Sequence, residues 1–212
     1  MALPQLTGQA MGYWLKSGAI LHECDLNAPV RHPQRLPEIT KRARQLVHDL
    51  SPDLIHSHFV GTTLVLRLAL GKSHHVPRIF QVPGPLHLEH MFYRRLELSL
   101  AGKNDYWVGS SRCIVSHYVH AAVSPERVFL SYYGDQLPAT NTRAGDILRR
   151  KAGAVAGTIF VGTISWMYPP KLYLGQRIGL KAHEDLIEAL GIVCRKDSRV
   201  RGIIAGAPWG GA

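Results

Sequence analysis

The 212-residue chain is 46% apolar and 19% charged, a composition that is typical of a globular protein and excludes a disordered one. It contains no run of 18 apolar residues, so we expect no membrane-spanning helix, and its start lacks the apolar core of a signal peptide. With 25 basic and 15 acidic side chains, the net charge of +10 favours an anionic partner, which leaves nucleic acid, an anionic lipid surface and a nucleotide diphosphate open.

Short apolar strands alternate with helices from residue 9 to residue 132. The strands are predicted at 19–25, 54–58, 78–82, 106–109 and 127–132. The helices are predicted at 9–16, 36–50, 62–70, 88–100 and 111–121. Strands separated by helices of this length are typical of βαβ units and a mostly parallel sheet. The predicted fold class is therefore α/β, with a Rossmann-like parallel sheet.

A polar, Gly/Ala-rich stretch at 136–157 predicts a linker between two domains. Residues 1–135 would form a Rossmann-like N-terminal domain, and 158–212 would form an incomplete second βαβ unit. We expect the first domain to lack its first strand, because its first predicted element is a helix. We expect the second domain to be incomplete, because a doubly wound domain needs about 100 residues or more.

Polar residues follow the predicted strands at their carboxyl ends, where open α/β sheets bind ligands. They are His58, Gly84, Ser110 and Asp135. His56 and His58 alternate along one strand, which predicts that both side chains lie on one face. His58 could bond a sugar hydroxyl or a carbonyl, or a backbone group instead. Ser110 and Ser111 are read as a helix N-cap rather than a nucleophile, because no GxSxG motif surrounds them.

The stretch from 158 to 195 predicts a strand, a basic loop and a helix. Lys171, Arg177 and Lys181 in this loop, together with the free N–H groups and positive dipole end of a helix, suit a phosphate group. Trp166 and Tyr168 could instead stack on nucleic-acid bases. The other basic cluster, at residues 41–44, is read as a solvated helix face.

Close histidine pairs raise the question of a metal site. They occur at His56/His58, His74/His75 and His87/His90. The sequence has no HExxH motif, and no cysteine or carboxylate stands at zinc-like spacing near these pairs. We therefore expect no metal and no cofactor.

Five segments in order resemble the family-4 glycosyltransferases of GT-B fold. They are DLIHSHF, RIFQVPG, DYWVGSS, ERVFLSYYGD and TIFVGTISW followed by GLKAHEDLIEAL. The resemblance covers about residues 10 to 206 and implies that a sugar is transferred with retention from a nucleotide-sugar, usually without a metal. It implies that Lys181 contacts the donor diphosphate. Thr163 stands where the family often has arginine, so Arg177 or Lys171 is expected to supply the second contact.

On the acceptor side, the resemblance implies a catalytic role for His58 and a cleft lined by Gly84, Ser110 and Asp135. The family histidine before the glycine is Pro83 in this sequence. His87 or His90 is therefore expected to act in its place.

The resemblance also implies binding partners and predicts that the chain lacks two elements of the family. The expected partners are a nucleotide-sugar and a glycan or lipid-linked acceptor, and nucleic acid is not expected. Three widely spaced cysteines favour a cytoplasmic location, and the basic surface suits peripheral contact with a membrane. The Gly-rich loop and the paired-glutamate element of the family are not in the sequence, so we expect a fragment that is inactive alone. The alternatives are a basic α/β binding module and a pseudoenzyme.

Overall fold

The computed structural model describes residues 1–7, 10–30, 32–134, 142–172 and 175–208. The chain divides into two compact units, Met1–Gly134 and Asp135–Ala212, which we call unit 1 and unit 2 and treat separately. Among the described residues, none of the helices combines the length and the hydrophobicity that a membrane span requires.

Unit 1 contains a four-stranded parallel sheet whose spatial order follows the sequence. Its strands are β3 (Ile55–His58), β4 (Arg78–Val82), β5 (Asp105–Gly109) and β6 (Val128–Leu130). The helices of this unit are α1 (Ala10–Lys16), α2 (Leu36–Leu50), α3 (Val60–Leu70), α4 (Leu86–Glu89), α5 (Met91–Ser99) and α6 (Arg112–His120). The alternation of strands and helices confirms the predicted α/β class with a Rossmann-like parallel sheet.

Two of the predicted elements were wrong in extent. A short strand, β1 (Ala2–Leu3), precedes α1 and pairs in parallel with β2 (His22–Glu23), so the described chain does not open on a helix. The strand predicted at 19–25 is restricted to β2, which pairs with the two residues of β1. The helix predicted at 88–100 is split between α4 and α5, because His90 adopts an extended conformation with φ −90° and ψ 112°.

Two hydrophobic clusters hold unit 1 together. In the first, Phe80, Val82 and Trp107 from the sheet pack with Ile114 and Tyr118 of α6. In the second, α2 packs on α3. Its buried residues are Leu26, Ile39, Ala43, Val65, Leu66 and Ala69. The spacing of Ile39 and Ala43 places both on one face of α2, as expected for an amphipathic helix.

A network of buried charged side chains contacts the first hydrophobic cluster through Trp107. Arg67 of α3 donates from Nε to Asp105 Oδ1 at 3.0 Å and pairs through Nη1 with Glu97 Oε1. Arg78 donates from Nη2 to Asp105 Oδ2 at 2.6 Å. All four side chains are 4% exposed or less. The network therefore joins α3, α5, β4 and β5. Its two negative carboxylates balance its two positive guanidinium groups.

Unit 2 is built on a two-stranded parallel sheet. β7 (Ile159–Ile164) and β8 (Val200–Ala205) are connected by α8 (His183–Lys196), and α7 (Thr142–Lys151) lies within the stretch predicted as a linker. A Cβ atom on Gly202 would lie 2.7 Å from Leu190 Cδ1. Glycine at this position therefore lets α8 pack closely on β8.

Replacing Asp105 with asparagine should lower the free energy of unfolding of unit 1 by about 3–5 kcal/mol, because two buried guanidinium groups would lose half of their countercharge. Urea denaturation of the full chain measures this loss. The matched control is Glu38→Gln, which removes an exposed ion pair with Arg42 and should cost less than about 1 kcal/mol. Equal losses in the two variants would contradict a special role for the buried network.

Candidate functional site

Polar groups from three neighbouring strands meet at the carboxyl edge of the unit 1 sheet. The register pairs His58 with Gln81 and Val82 with Gly109, so the ends of β3, β4 and β5 are aligned. Gly84 follows β4 and borders open space, since a Cβ atom added there would meet nothing within 4 Å. The space beside Gly84 is therefore open at the edge where β3 ends in His58.

Ser110 and Ser111 fix the loops at this edge. Ser110 Oγ donates to Pro83 O at 3.2 Å, which ties the end of β5 to the loop that follows β4. Ser111 Oγ accepts a hydrogen bond from the backbone N–H of Ile114 at 3.3 Å. The predicted N-cap of α6 is thereby confirmed at Ser111.

His58 presents an exposed imidazole at the end of β3. Its ring centroid lies 4.9 Å from that of His56, which confirms that the two rings share one face of the strand. Partial burial and, to a smaller extent, the charge of His56 lower the pKa of His58. A neutral imidazole has one donor and one acceptor nitrogen, so it can bond a hydroxyl group in either direction.

His87 lies in the core, in contrast to the expectation that its ring lines the cleft. It is 6% exposed, and its Nε2 lies 3.1 Å from the Tyr118 hydroxyl. Burial, and secondarily the charge of Arg67, lower the pKa of His87 to about 4. Its short helix, α4, turns the ring toward Phe80 at a centroid distance of 5.6 Å. His87 therefore joins α4 to α6.

His90 is half-buried at the break between α4 and α5. Its ring packs against Tyr93 at a centroid distance of 5.0 Å. Its buried Nδ1 has no hydrogen-bond partner among the described residues. Of the two histidines expected near the cleft, His90 is thus the less enclosed.

In unit 2, Lys181 is exposed directly before α8. Ala182 occupies the N-cap position with φ 49° and ψ 44° and provides no side-chain cap. An uncapped helix start directs backbone N–H groups outward and suits an anion. The carboxylates of Glu184 and Asp185 in the first turn already complement the helix dipole. The binding of an anion at this helix start would therefore depend strongly on the positive charge of Lys181.

A hydrogen bond between side chains connects the end of β7 with the start of α8. Ser165 Oγ lies 3.1 Å from His183 Nε2 and 3.4 Å from Thr163 Oγ1. Thr163 thus belongs to a small polar group at the strand end. Sequence analysis missed the contact between Ser165 and His183. The available signal was a hydroxyl just past a strand and a histidine at the start of the following helix.

The remaining basic residues predicted for the donor side lie in the loop before α8. Lys171 is half-buried, and its backbone N–H donates to Gln176 Oε1 at 3.4 Å. Arg177 is exposed. The predicted cleft residue Asp135 lies outside the described residues.

The metal and nucleic-acid alternatives concern the paired histidines and the basic stretch of α2. In the part of the chain that the structure describes, no group of three or more His, Cys, Asp or Glu side chains could hold a metal ion. In the basic stretch of α2, Arg42 pairs with Glu38 at 2.5 Å, and Arg44 Nε donates to Ala69 O at 3.0 Å. Two of the three cations there are therefore engaged within the protein.

Comparison with known proteins identifies the fold. No protein-family model and no curated protein matches the chain. Crystal structures of Anabaena Alr3699/HepE do match it. With UDP and glucose bound, that structure has a TM-score of 0.68 at 18% identity, over 96% of this chain and 52% of HepE. With UDP-glucose bound, the TM-score is 0.60 at 19% identity, over 94% of this chain and 60% of HepE.

TM-scores of 0.60 and 0.68 show that the chain shares the Rossmann-like α/β fold of GT-B type, and at 18–19% identity the likeness shows the fold alone. The chain spans between half and three fifths of the length of the HepE structures.

The buried His87 should make unit 1 acid-sensitive. The pKa of His87 is about 4 in the folded state and about 6.5 in the unfolded state, so only the unfolded state takes up the proton between these values. The stabilisation is complete above pH 6.5 and decreases as the pH falls, by about 3 kcal/mol at pH 4. Urea denaturation between pH 7 and pH 4 should show a smaller loss for His87→Gln than for the wild type. Parallel pH profiles would contradict this assignment.

Proposed function

We propose that this chain takes part in the transfer of a sugar from a nucleotide-sugar to an acceptor, as a retaining glycosyltransferase of family-4 type. The observation that carries the proposal is the fold that the chain shares, over 96% of its length, with a HepE structure that holds UDP and glucose. Each of the two groups of polar residues described above follows the carboxyl end of a parallel strand, where open α/β sheets bind ligands, and this supports the proposal.

Unit 2 would bind the donor. The leaving diphosphate gains negative charge as the glycosidic bond breaks, so fixed positive groups that face it lower the barrier. Lys181 and the uncapped start of α8 would supply this charge, with Arg177 or Lys171 as a second cation. Ser165 and His183 would hold the end of β7 against α8 and so fix the position of Lys181. In this proposal these groups, and not a metal ion or a cofactor, stabilise the diphosphate.

Unit 1 would bind the acceptor. The imidazole of His58 would bond a hydroxyl of the acceptor, and the open space beside Gly84 would receive its ring or chain. The net charge of +10 suits an acceptor on an anionic membrane face as well as a soluble glycan. A lipid-linked sugar or a polysaccharide is accordingly the proposed acceptor class.

Lys181→Ala should weaken UDP binding about tenfold, because a charge-assisted hydrogen bond contributes about 1.5 kcal/mol or more. Isothermal titration of the full chain with UDP measures the change. Lys196→Ala is the matched control: it removes a lysine from the opposite end of α8, in its last turn, and should leave the affinity unchanged. Wild-type affinity in both variants, or no binding of UDP at millimolar concentration, would refute the proposed donor site.

A further inference from the structure

Phe59 follows His58 at the end of β3 and combines an exposed ring with an unusual backbone conformation. Its side chain is 65% exposed, although phenylalanine is a residue that proteins usually bury. Its backbone has φ 63° and ψ 141°. An exposed aromatic residue on a disfavoured backbone conformation, at the edge of the sheet where ligands bind, requires an explanation.

The backbone conformation is strained for any residue except glycine. Side chains with a Cβ atom reach positive φ mainly in the left-handed helical region, where ψ is about 30–60°. The ψ of 141° lies far outside that region, close to a conformation that is almost restricted to glycine. Such strain persists only where the surrounding structure imposes it, and it concentrates at binding and active sites.

Two buried hydroxyl groups help to hold the carbonyl of Phe59. Thr63 N and Thr63 Oγ1 both donate to the carbonyl of Phe59, at 3.2 and 3.0 Å. Thr63 Oγ1 lies 2.9 Å from Ser57 Oγ, which in turn lies 3.3 Å from the carbonyl oxygen of Ile79 in β4. Ser57 and Thr63 are 7% and 3% exposed. The carbonyl of Phe59 is thus fixed from inside the protein while its ring stays outside.

We propose that Phe59 is the acceptor-binding residue that stacks on a sugar ring while the adjacent His58 bonds one of its hydroxyls. This inference rests on the proposed function and narrows the acceptor class to a neutral sugar. The flat apolar ring of phenylalanine is suited to the C–H face of a hexopyranose, and ligand sites commonly combine aromatic side chains with a few polar groups. The polar neighbours His58 and Ser110 at this edge favour a sugar over a lipid tail, which would need a continuous apolar patch.

The test uses cellobiose as a neutral probe and measures its affinity for the full chain by ligand-observed NMR. Phe59→Leu keeps an apolar side chain but removes the ring, and should weaken binding by about a factor of ten. Phe59→Trp keeps an aromatic face and should retain the affinity.

Phe59→Gly separates a ligand-binding role from a structural one. Glycine accepts the backbone conformation without strain, so the urea midpoint of unfolding should rise although glycine adds entropy to the unfolded chain. Cellobiose binding should be lost in the same variant. If Phe59 served only for packing, its replacement with glycine would instead lower the urea midpoint of unfolding.

Several results would overturn the inference. These are no cellobiose binding to the wild-type chain, equal binding by Phe59→Leu, and a Phe59-dependent association with phosphatidylglycerol vesicles without any effect on cellobiose. A parallel titration with UDP keeps the two proposals distinct. If UDP binds normally while cellobiose binding is independent of Phe59, the role of Phe59 fails and the donor site stands. If UDP does not bind either, the proposed function fails as well.

Discussion

Unit 1 depends on two carboxylates, Glu97 and Asp105, that are buried together with Arg67 and Arg78. Each of these carboxylates and guanidinium groups would be costly to bury alone, so the four charged groups stabilise the fold only when they are buried together. Trp107 Nε1 donates to Glu97 Oε1 at 2.8 Å, and the guanidinium carbon of Arg67 lies 5.2 Å from the centre of the Trp107 ring. The charged network and the apolar core therefore form one structure.

This network fixes the sheet at the end opposite the proposed site. Asp105 and Arg78 lie at the first residues of β5 and β4, so their ion pair sets the register of the two strands. The carboxyl ends of the same two strands are therefore aligned, and Ser110 Oγ can donate a hydrogen bond to the carbonyl of Pro83. A rigid scaffold at one edge allows the loops at the other edge to carry polar and strained residues without loss of the fold.

Sequence patterns predicted the elements that depend on local periodicity and missed those that depend on distant contacts. Helix 36–50 and strand 78–82 were located correctly, because their apolar spacing reflects burial directly. His87 was expected at the cleft because Pro83 replaces the family histidine, yet its partner Tyr118 lies 31 residues further along the chain. Ser165 and His183 meet across 18 residues for the same reason. The strand ends His58, Gly84 and Ser110 were predictable because parallel strands bring their carboxyl ends to one edge.

Phe59 shows why part of a site escapes sequence analysis in principle. Local rules favour glycine at a position with this backbone conformation, and nothing in the sequence around HSHFVG signals that the conformation is needed. The need arises only in three dimensions, where Thr63 holds the carbonyl of Phe59 and Ser57 connects Thr63 to β4. A phenylalanine in that place costs stability that a glycine would not. In the proposal made above, the binding of a sugar accounts for both the strain and the exposure of Phe59.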